Sequence, residues 1–187
     1  PALSKSGKNI QACLKTLVDK GKISDADAYS LYSRIRYTDH MSDFKDCSLV
    51  IEAIVEDVEP KQIAFKSLEA ILGNDTIIAS NTSSLSISAM GAPLKHPERI
   101  LGIHFFNPAP LMRLVEIIPA LQTQQKYIEQ ARALIDSWGK TTVLAQDTPG
   151  FIVNRVARPY YGEALRILEE GIADPATVDW AMRELGG

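Results

Sequence analysis

The sequence is poor in the residues that make covalent or metal cross-links. Its 187 residues include two cysteines, Cys13 and Cys47, and three histidines. These residues show no zinc-binding spacing, so we predict no metal site. Two distant cysteines without a partner motif also make a disulfide framework improbable. A reducing cytosolic or organellar compartment fits them better, and we take the cytoplasm as the working prediction.

Two further shortages exclude whole classes of protein. No apolar run approaches the roughly 20 residues needed to cross a bilayer, so we expect no membrane partner. The formal net charge of -3 argues against nucleic acid as a partner, because such proteins usually carry a basic patch. The sequence begins at Pro1 rather than methionine and stops at Gly187 just after a helical pattern. We therefore expect a longer parent chain.

The hydrophobic pattern indicates an α/β fold. Two helices come first, over residues 4–19 and from Ser24, which we predict as an N-cap. Strands then alternate with helices, which is typical of a largely parallel sheet. The predicted strands are 49–55, 76–79, 100–106, 114–118 and 141–144, and helices begin near Pro60 and residue 124.

The pattern changes at the turn formed by residues 147–150. From Phe151 to Glu170 it is helical, and Pro175 opens another helix. We therefore predict two domains, an α/β domain over 1–147 and the beginning of an all-helical domain over 148–187.

His104 and Glu116 are candidate partners. Pro110 lies midway between them, and the proline-rich stretch around it cannot continue a central strand. If the chain reverses there, the two residues face each other on adjacent strands. A carboxylate bonded to one ring nitrogen would make the other nitrogen a stronger base. A strand-edge histidine with a solvated glutamate is the alternative, and the spacing leaves both open.

Polar residues also follow two of the predicted strands. Residues 80–85 follow one strand, and Glu56 and Lys61 flank the turn after another. Ligands of open α/β sheets bind at the carboxyl ends of strands, so residues 80–85 are candidates to hydrogen-bond a ligand. Lys61 could contact a phosphate or ribose, and Glu56 suits a hydroxyl. Helix N-capping by Ser84 or Ser86 and a solvated ion pair are the alternatives.

Two other polar residues are ambiguous, and one motif is missing. Asn154 lies at an otherwise apolar helix start, where a buried amide needs a partner such as a ligand carbonyl. Lys20 would ordinarily lie on a solvated helix face. The sequence contains no G-x-G-x-x-G. This counts against dinucleotide binding unless a first strand, turn and helix precede Pro1.

Several motifs in a fixed order are more specific than any of these patterns. They are VIEAIVE at 50–56, SNTSSL at 80–85, GIHFFNP at 102–108, LVE at 114–116 and DTPGFIVNR at 147–155. This ordered set resembles the 3-hydroxyacyl-CoA dehydrogenase family over nearly the whole chain. The resemblance implies an incomplete Rossmann-like, doubly wound sheet in an NAD-binding domain over 1–147. The residues 148–187 would begin the helical domain for substrate binding and dimerisation.

The resemblance also implies an activity and residue roles. The parent protein would oxidise L-3-hydroxyacyl-CoA to 3-ketoacyl-CoA with NAD and would form a homodimer. His104 would be the general base, Glu116 its orienting partner, Ser83 a ligand of the substrate oxygen and Asn154 a contact to the acyl group. The cofactor-binding residues would be Ile54, Val55, Glu56, Lys61, Ser83 and Asn107. Lys20 would contact coenzyme A.

Two other interpretations stay open. A non-catalytic relative of the same fold is one, although the full set of polar site residues argues against it. A hydrolase triad of Ser83, His104 and Glu116 is the other, although Ser83 lacks the G-x-S-x-G elbow. Without a glycine turn, we expect residues 1–187 alone to bind NAD very weakly and to be inactive. We also expect them to self-associate through an exposed sheet edge or to be an ordered remnant of a longer chain.

Overall fold

The computed structural model describes residues 2–185 and divides into two compact units, Pro1–Asp46 and Cys47–Gly187. The helices are α1 (Ala2–Asp19), α2 (Asp25–Ser33), α3 (Val58–Glu69), α4 (Ile87–Gly91), α5 (Gln125–Ser137), α6 (Val153–Glu169) and α7 (Pro175–Glu184). The strands are β1 (Leu49–Glu52), β2 (Ile77–Ser80), β3 (Ile100–Phe105), β4 (Leu114–Pro119) and β5 (Thr141–Leu144). Short 3-10 turns lie at Met41–Phe44 and Pro97–Arg99.

The first unit is a hairpin of α1 and α2, which pack against each other. Gly21 follows α1 with a φ of +65°, a left-handed conformation that glycine adopts without a Cβ clash and that commonly ends a helix. Ser24 caps α2 as predicted. Its Oγ accepts from the N–H of Asp27 at 3.1 Å, and the Asp27 carboxylate accepts from the N–H of Ser24 at 3.2 Å.

The second unit contains one five-stranded sheet in the order β1-β2-β3-β4-β5. The strands β1, β2 and β3 are parallel, β4 runs antiparallel to β3, and β5 is parallel to β4. The prediction of a largely parallel α/β sheet is therefore confirmed, and so is the chain reversal between β3 and β4. That reversal makes the sheet mixed.

Helices cover both faces of this sheet, as in a doubly wound fold. Beneath α5, alternate strand residues form a core that includes Leu101, Ile103 and Ile117. On the other face lies α4, which contacts β3, β4 and α3. The approach there is close, because a Cβ added at Gly102 would lie 3.0 Å from the side chains of Ile118 and Ile87.

Two boundaries and one short helix differ most from the predictions. The strand predicted over 49–55 ends at Glu52, because its carboxylate accepts from the N–H of Ile54 and the chain turns out of the sheet. The short helix α4 was expected only as the helix that Ser84 or Ser86 would cap, since five residues are too few to show a helical period. The helix predicted from Phe151 begins at Val153, because Phe151 itself has a positive φ that a right-handed helix cannot include.

The division near Asp147 stays a prediction, since the two compact units separate at Asp46 and Cys47 instead. Over residues 2–185, no helix combines the length and the apolar character that spanning a membrane would require.

Candidate functional site

His104 and Glu116 face each other across the antiparallel pair of β3 and β4. The His104 Nδ1 lies 2.7 Å from the Glu116 Oε2. Both side chains are buried, with 5% of His104 and 0% of Glu116 exposed. The pairing predicted from the midpoint at Pro110 is therefore present, and the solvated-glutamate alternative is wrong.

The other oxygen of Glu116 binds the start of α6. Its Oε1 accepts from the backbone N–H groups of Ile152 at 3.0 Å and Val153 at 2.9 Å. A helix amino terminus carries partial positive charge and stabilises an anion there. Because both Glu116 oxygens then accept, we assign the donor role in the His104 pair to Nδ1. In the neutral ring this assignment makes Nε2 the acceptor.

Ser83 completes a line of three side chains. Its Oγ lies 3.2 Å from the His104 Nε2, and with Nδ1 protonated the serine hydroxyl is the donor. The loop after β2 fixes this serine, because the N–H of Ser83 donates to the Glu56 Oε1 at 3.0 Å. Ser83 is exposed whereas His104 is buried, so the polar neighbour of the ring on its Nε2 side is an exposed serine.

A buried ion pair that the sequence did not reveal supports this loop. The Lys61 Nζ lies 2.7 Å from the Glu52 Oε1, and the Glu52 Oε2 accepts from the hydroxyl of Ser80 at 2.7 Å. That hydroxyl in turn accepts from the N–H of Thr82 at 3.2 Å. The only sequence signal for Glu52 is one carboxylate inside an apolar strand.

The Lys61 side chain is buried and does not project from the surface as a ligand-binding lysine would. It is 1% exposed, and its Nζ also lies 3.4 Å from the Glu56 Oε2. The lysine therefore neutralises two carboxylates beneath the loop. The expected contact from Lys61 to a ribose or phosphate stays a prediction.

Three predicted cofactor residues lie together after the carboxyl end of β1. Ile54 and Val55 are 50% and 65% exposed, and the Glu56 carboxylate follows them. Burial opposes the charge on Glu56, but hydrogen bonds from Thr82 and Ser83, with the Lys61 ammonium, outweigh burial and hold the pKa of Glu56 below its ordinary value. Glu56 is therefore an anion with an exposed face at neutral pH.

The three remaining predicted site residues lie in separate segments of the chain. Asn107 is exposed just after β3, in a loop that Lys140 holds through the carbonyls of Ala109 and Met112. Asn154 is half-buried in the first turn of α6, next to the amides that bind Glu116. Lys20 is exposed in the first compact unit, and its proximity to the other site residues stays a prediction.

Asp147 has a structural role that the sequence did not reveal. Its Oδ1 accepts from the N–H of Ile87 at 2.8 Å, and its Oδ2 accepts from the N–H of Ser88 at 2.7 Å and the hydroxyl of Ser86 at 2.9 Å. Ser86 also caps α4 by accepting from the N–H of Ala89, so the N-capping interpretation is confirmed for Ser86. Burial opposes the charge on Asp147, but its hydrogen bonds to Ser88, Ile87 and Ser86 lower its pKa.

We expect Asp147→Asn to lower the free energy of unfolding by about 1–2 kcal/mol at neutral pH. A charge-assisted hydrogen bond contributes about 1.5–3 kcal/mol, which we discount because Asp147 is half-exposed. The pKa is lower in the folded state, so this stability is complete above the ordinary value of 3.8. It is lost as the pH falls through the lowered value.

Urea unfolding of both proteins at a series of pH values measures this effect. The difference in stability should be constant above about pH 5 and should shrink below about pH 4. Asp75→Asn is the control, since that side chain is 90% exposed and its loss should change stability by less than about 0.5 kcal/mol. A stability difference for Asp147→Asn that does not vary with pH would contradict the assignment.

Comparison with known proteins gives the family. Residues 1–148 match the family described as 3-hydroxyacyl-CoA dehydrogenase, NAD binding domain. Residues 150–187 match the family described as 3-hydroxyacyl-CoA dehydrogenase, C-terminal domain. The chain is 43% identical over 186 residues to 3-hydroxyadipyl-CoA dehydrogenase of Escherichia coli K12, covering 100% of this chain and 39% of that protein.

Two further relatives agree. The 3-hydroxybutyryl-CoA dehydrogenase of Clostridioides difficile is 40% identical, with 91% of this chain and 60% of that protein covered. The crystal structure of 3-hydroxybutyryl-CoA dehydrogenase from Escherichia coli K12 superposes with a TM-score of 0.95 at 43% identity, over 98% of this chain and 39% of that one. The chain thus spans about two fifths to three fifths of the length of these relatives. By both its matched domains, it belongs to the 3-hydroxyacyl-CoA dehydrogenase family.

Proposed function

We propose that the protein containing this chain oxidises the 3-hydroxyl group of an L-3-hydroxyacyl-CoA to a ketone, with NAD as the hydride acceptor. The observation that carries this proposal is the line from Ser83 through His104 to Glu116, in which Nδ1 lies against the carboxylate and Nε2 lies against the exposed serine. Oxidation of a secondary alcohol needs a base that accepts the hydroxyl proton, and the Nε2 of His104 is the atom placed to accept it. The family membership supplies the cofactor and substrate class.

His104 takes the hydroxyl proton in this mechanism. The substrate hydroxyl displaces or shares the hydrogen bond of Ser83 and donates to Nε2. As the proton moves to Nε2 and C3 gives up its hydride, the C3–O bond becomes a carbonyl. Glu116 stabilises the imidazolium that forms. A base held within hydrogen-bond reach contributes about 10²–10⁴-fold to the rate, and Ser83 keeps the oxygen in place.

The residues after β1 suit the nicotinamide half of NAD. Ile54 and Val55 offer an exposed apolar surface for a ring or ribose face, and the Glu56 carboxylate can accept from ribose hydroxyls. These lie at the carboxyl ends of parallel strands, where cofactors of such sheets bind. When bound, NAD supplies the hydride acceptor. The chain supplies the base, orients the substrate and excludes water from the site. We propose Asn107 as a further cofactor contact at the same edge.

We propose that Asn154 and Lys20 bind the substrate. Asn154 follows the residues whose amides hold Glu116, so its amide would reach the acyl group near C3. Lys20 is exposed in the turn between α1 and α2, and an ammonium group suits the phosphates of coenzyme A. The relatives named above act on hydroxyadipyl-CoA and hydroxybutyryl-CoA, which supports a coenzyme A thioester as substrate.

If Lys20 binds coenzyme A, Lys20→Ala should raise KM several-fold and leave kcat nearly unchanged. An exposed ion pair is worth about 0.2–1 kcal/mol, and this contact is remote from the reacting carbon. The KM for a truncated thioester without the nucleotide should barely change. Lys66→Ala, an exposed lysine on α3, is the control. An equal rise in KM for both thioesters would exclude the nucleotide contact.

The same three side chains favour a second candidate, a hydrolase with Ser83 as nucleophile. That reaction needs backbone N–H donors for the oxyanion. The N–H of Ser83 already donates to Glu56, and those of Ser84 and Leu85 donate to the Thr82 Oγ1. The donors around this serine are therefore occupied, and we rank the dehydrogenase first.

The deciding experiment incubates the full-length gene product with NAD and L- or D-3-hydroxyacyl-CoA of several chain lengths. Absorbance of the reduced nicotinamide reports oxidation, and a thiol reagent reports free coenzyme A. We expect reduction of NAD with the L-isomer and no thiol release. Thiol release without NAD would favour the hydrolase, and neither signal with any chain length would favour a non-catalytic relative.

We further propose a homodimer in the cytoplasm. Apolar side chains along α6 and α7 are exposed, among them Val156 at 72%, Leu165 at 62% and Trp180 at 58%. Exposed apolar side chains along two helices are typical of an interface, and a second copy of the full-length protein would cover them. Sedimentation of the gene product tests the dimer. The free thiols of Cys13 and Cys47 suit a reducing compartment.

A further inference from the structure

Phe151 has an unusual backbone conformation beside the site. Its φ is +46°, and among the described residues 2–185 no other non-glycine residue has a positive φ. This left-handed region is an outlier for a bulky side chain, and such conformations persist only where surrounding contacts enforce them. Yet the Phe151 side chain is buried, with 3% exposed. The ring therefore gains its burial at the expense of backbone strain.

Both ends of the segment that holds Phe151 are fixed by carboxylates. On one side, Asp147 binds the amides at the start of α4. On the other, Glu116 binds the amides of Ile152 and Val153. The segment between these two anchors has little freedom to relax, and the positive φ of Phe151 lies within it.

The Phe151 ring lies against the imidazole of His104. Its centroid lies 5.7 Å from that of His104 in an edge-on arrangement, a favoured geometry for aromatic pairs. Phe106 contacts the same imidazole with its centroid at 4.6 Å. Two phenyl rings thus border an imidazole whose Nδ1 is bonded to Glu116 and whose Nε2 faces Ser83.

We propose that Phe151 is a positioning residue for His104. Together with Phe106 it fixes the plane of the imidazole and keeps water from the bond between Nδ1 and Glu116, so that Nε2 alone receives the substrate proton. This inference rests on the proposed dehydrogenase function for its catalytic consequence. Its structural part, the tautomer and orientation of His104, stands apart from that function.

The test uses Phe151→Ala, Phe151→Gly and Phe151→Leu in the full-length gene product. Glycine and alanine both remove the ring, but glycine tolerates a positive φ, so Phe151→Gly should unfold at a higher temperature than Phe151→Ala. Nitrogen-15 spectra of the histidine rings report the tautomer, and with three histidines the variant His104→Gln assigns the signal. Assays of kcat and KM with NAD and acyl-CoA give the catalytic effect.

We expect the wild-type His104 signal to show a protonated Nδ1 and a bare Nε2. Both ring-removing variants should shift it toward a mixture of tautomers and lower kcat by about 10-fold, part of the contribution of a positioned base, with KM changed less than about twofold. Phe151→Leu, which keeps apolar cover, should lie between them and wild type. The effects on His104 should be equal in the glycine and alanine variants, despite their different stabilities.

Phe65→Leu is the matched control, because Phe65 is 0% exposed on α3, and its loss should lower stability but leave the His104 signal and kcat unchanged. The proposal is overturned if Phe151→Gly and Phe151→Ala leave the tautomer unchanged, or if kcat falls only in step with stability. A tautomer shift in a protein without dehydrogenase activity would sink the proposed function but support the positioning of His104.

Discussion

Replacing His104 by glutamine in the full-length gene product should lower kcat by about 10²–10⁴-fold, the contribution of a positioned base. Glutamine can still hydrogen-bond a hydroxyl but cannot take its proton, so the KM for acyl-CoA should change little. Steady-state assays with the L-isomer measure both constants. His96→Gln is the control, because His96 also pairs with a glutamate, Glu98 at 3.3 Å, but is exposed.

Glu116→Gln should lower kcat nearly as much, for a specific geometric reason. A glutamine amide can present its oxygen either to His104 or to the amides of Ile152 and Val153, while its NH₂ group must face the other side. If the NH₂ faces His104, Nδ1 becomes the acceptor and Nε2 carries the proton, which removes the base. If it faces Ile152 and Val153, donors oppose donors.

The double variant should be little worse than the worse single variant, because the two residues act as one unit. Losses in kcat that multiply fully would show that His104 and Glu116 work separately. In that event the 2.7 Å contact would have a structural role only.

The largest expected effect on stability comes from the buried pair of Glu52 and Lys61. Glu52→Gln removes the nearer of the two counter-charges of a lysine that is 1% exposed. A buried charge with no counter-charge typically costs about 3–5 kcal/mol. Because the Glu56 carboxylate remains 3.4 Å from the Lys61 Nζ, we expect a smaller loss of about 2–3 kcal/mol. Glutamine can still accept from the N–H of Ile54, so the loss reports the charge more than the hydrogen bond. Urea unfolding gives the free energy.

Removing both charges should be less harmful than removing one. The double variant Glu52→Gln/Lys61→Met leaves no unpaired buried ion, because the Glu56 side chain, which also loses Lys61, is 43% exposed. Neutral replacements of buried pairs are often nearly neutral in stability. Lys126→Met is the control for an exposed pair, since Lys126 and Asp75 are 52% and 90% exposed and contribute at most about 1 kcal/mol. A double variant as unstable as the sum of the singles would show that the two charges do not interact.

The sequence predicts those parts of the fold and site that depend on local pattern. Apolar runs locate all five strands, and the proline midpoint predicts the pairing of His104 with Glu116. Strand length is less predictable, because β1 ends where the Glu52 side chain captures a backbone amide. That capture depends on geometry, whereas the apolar run continues through Val55.

Long-range polar contacts could not be predicted from pattern alone. Asp147 looks like an ordinary turn residue, yet it binds amides about 60 residues earlier in the chain. The Glu52–Lys61 pair spans a strand and a helix, so neither periodicity shows it. The positive φ of Phe151 is equally hidden, because left-handed conformations are usually marked by glycine or asparagine and not by phenylalanine.

The alternation of side chains along β3 and β4 divides two tasks between the faces of the sheet. Ile103, Val115 and Ile117 point into the core beneath α5, while their neighbours His104 and Glu116 point to the opposite face. A substitution beneath α5 alters the free energy of unfolding while the base keeps its partner. Substitutions that change stability can therefore accumulate on one face of β3 and β4, and substitutions that change the chemistry of the site can accumulate on the other face.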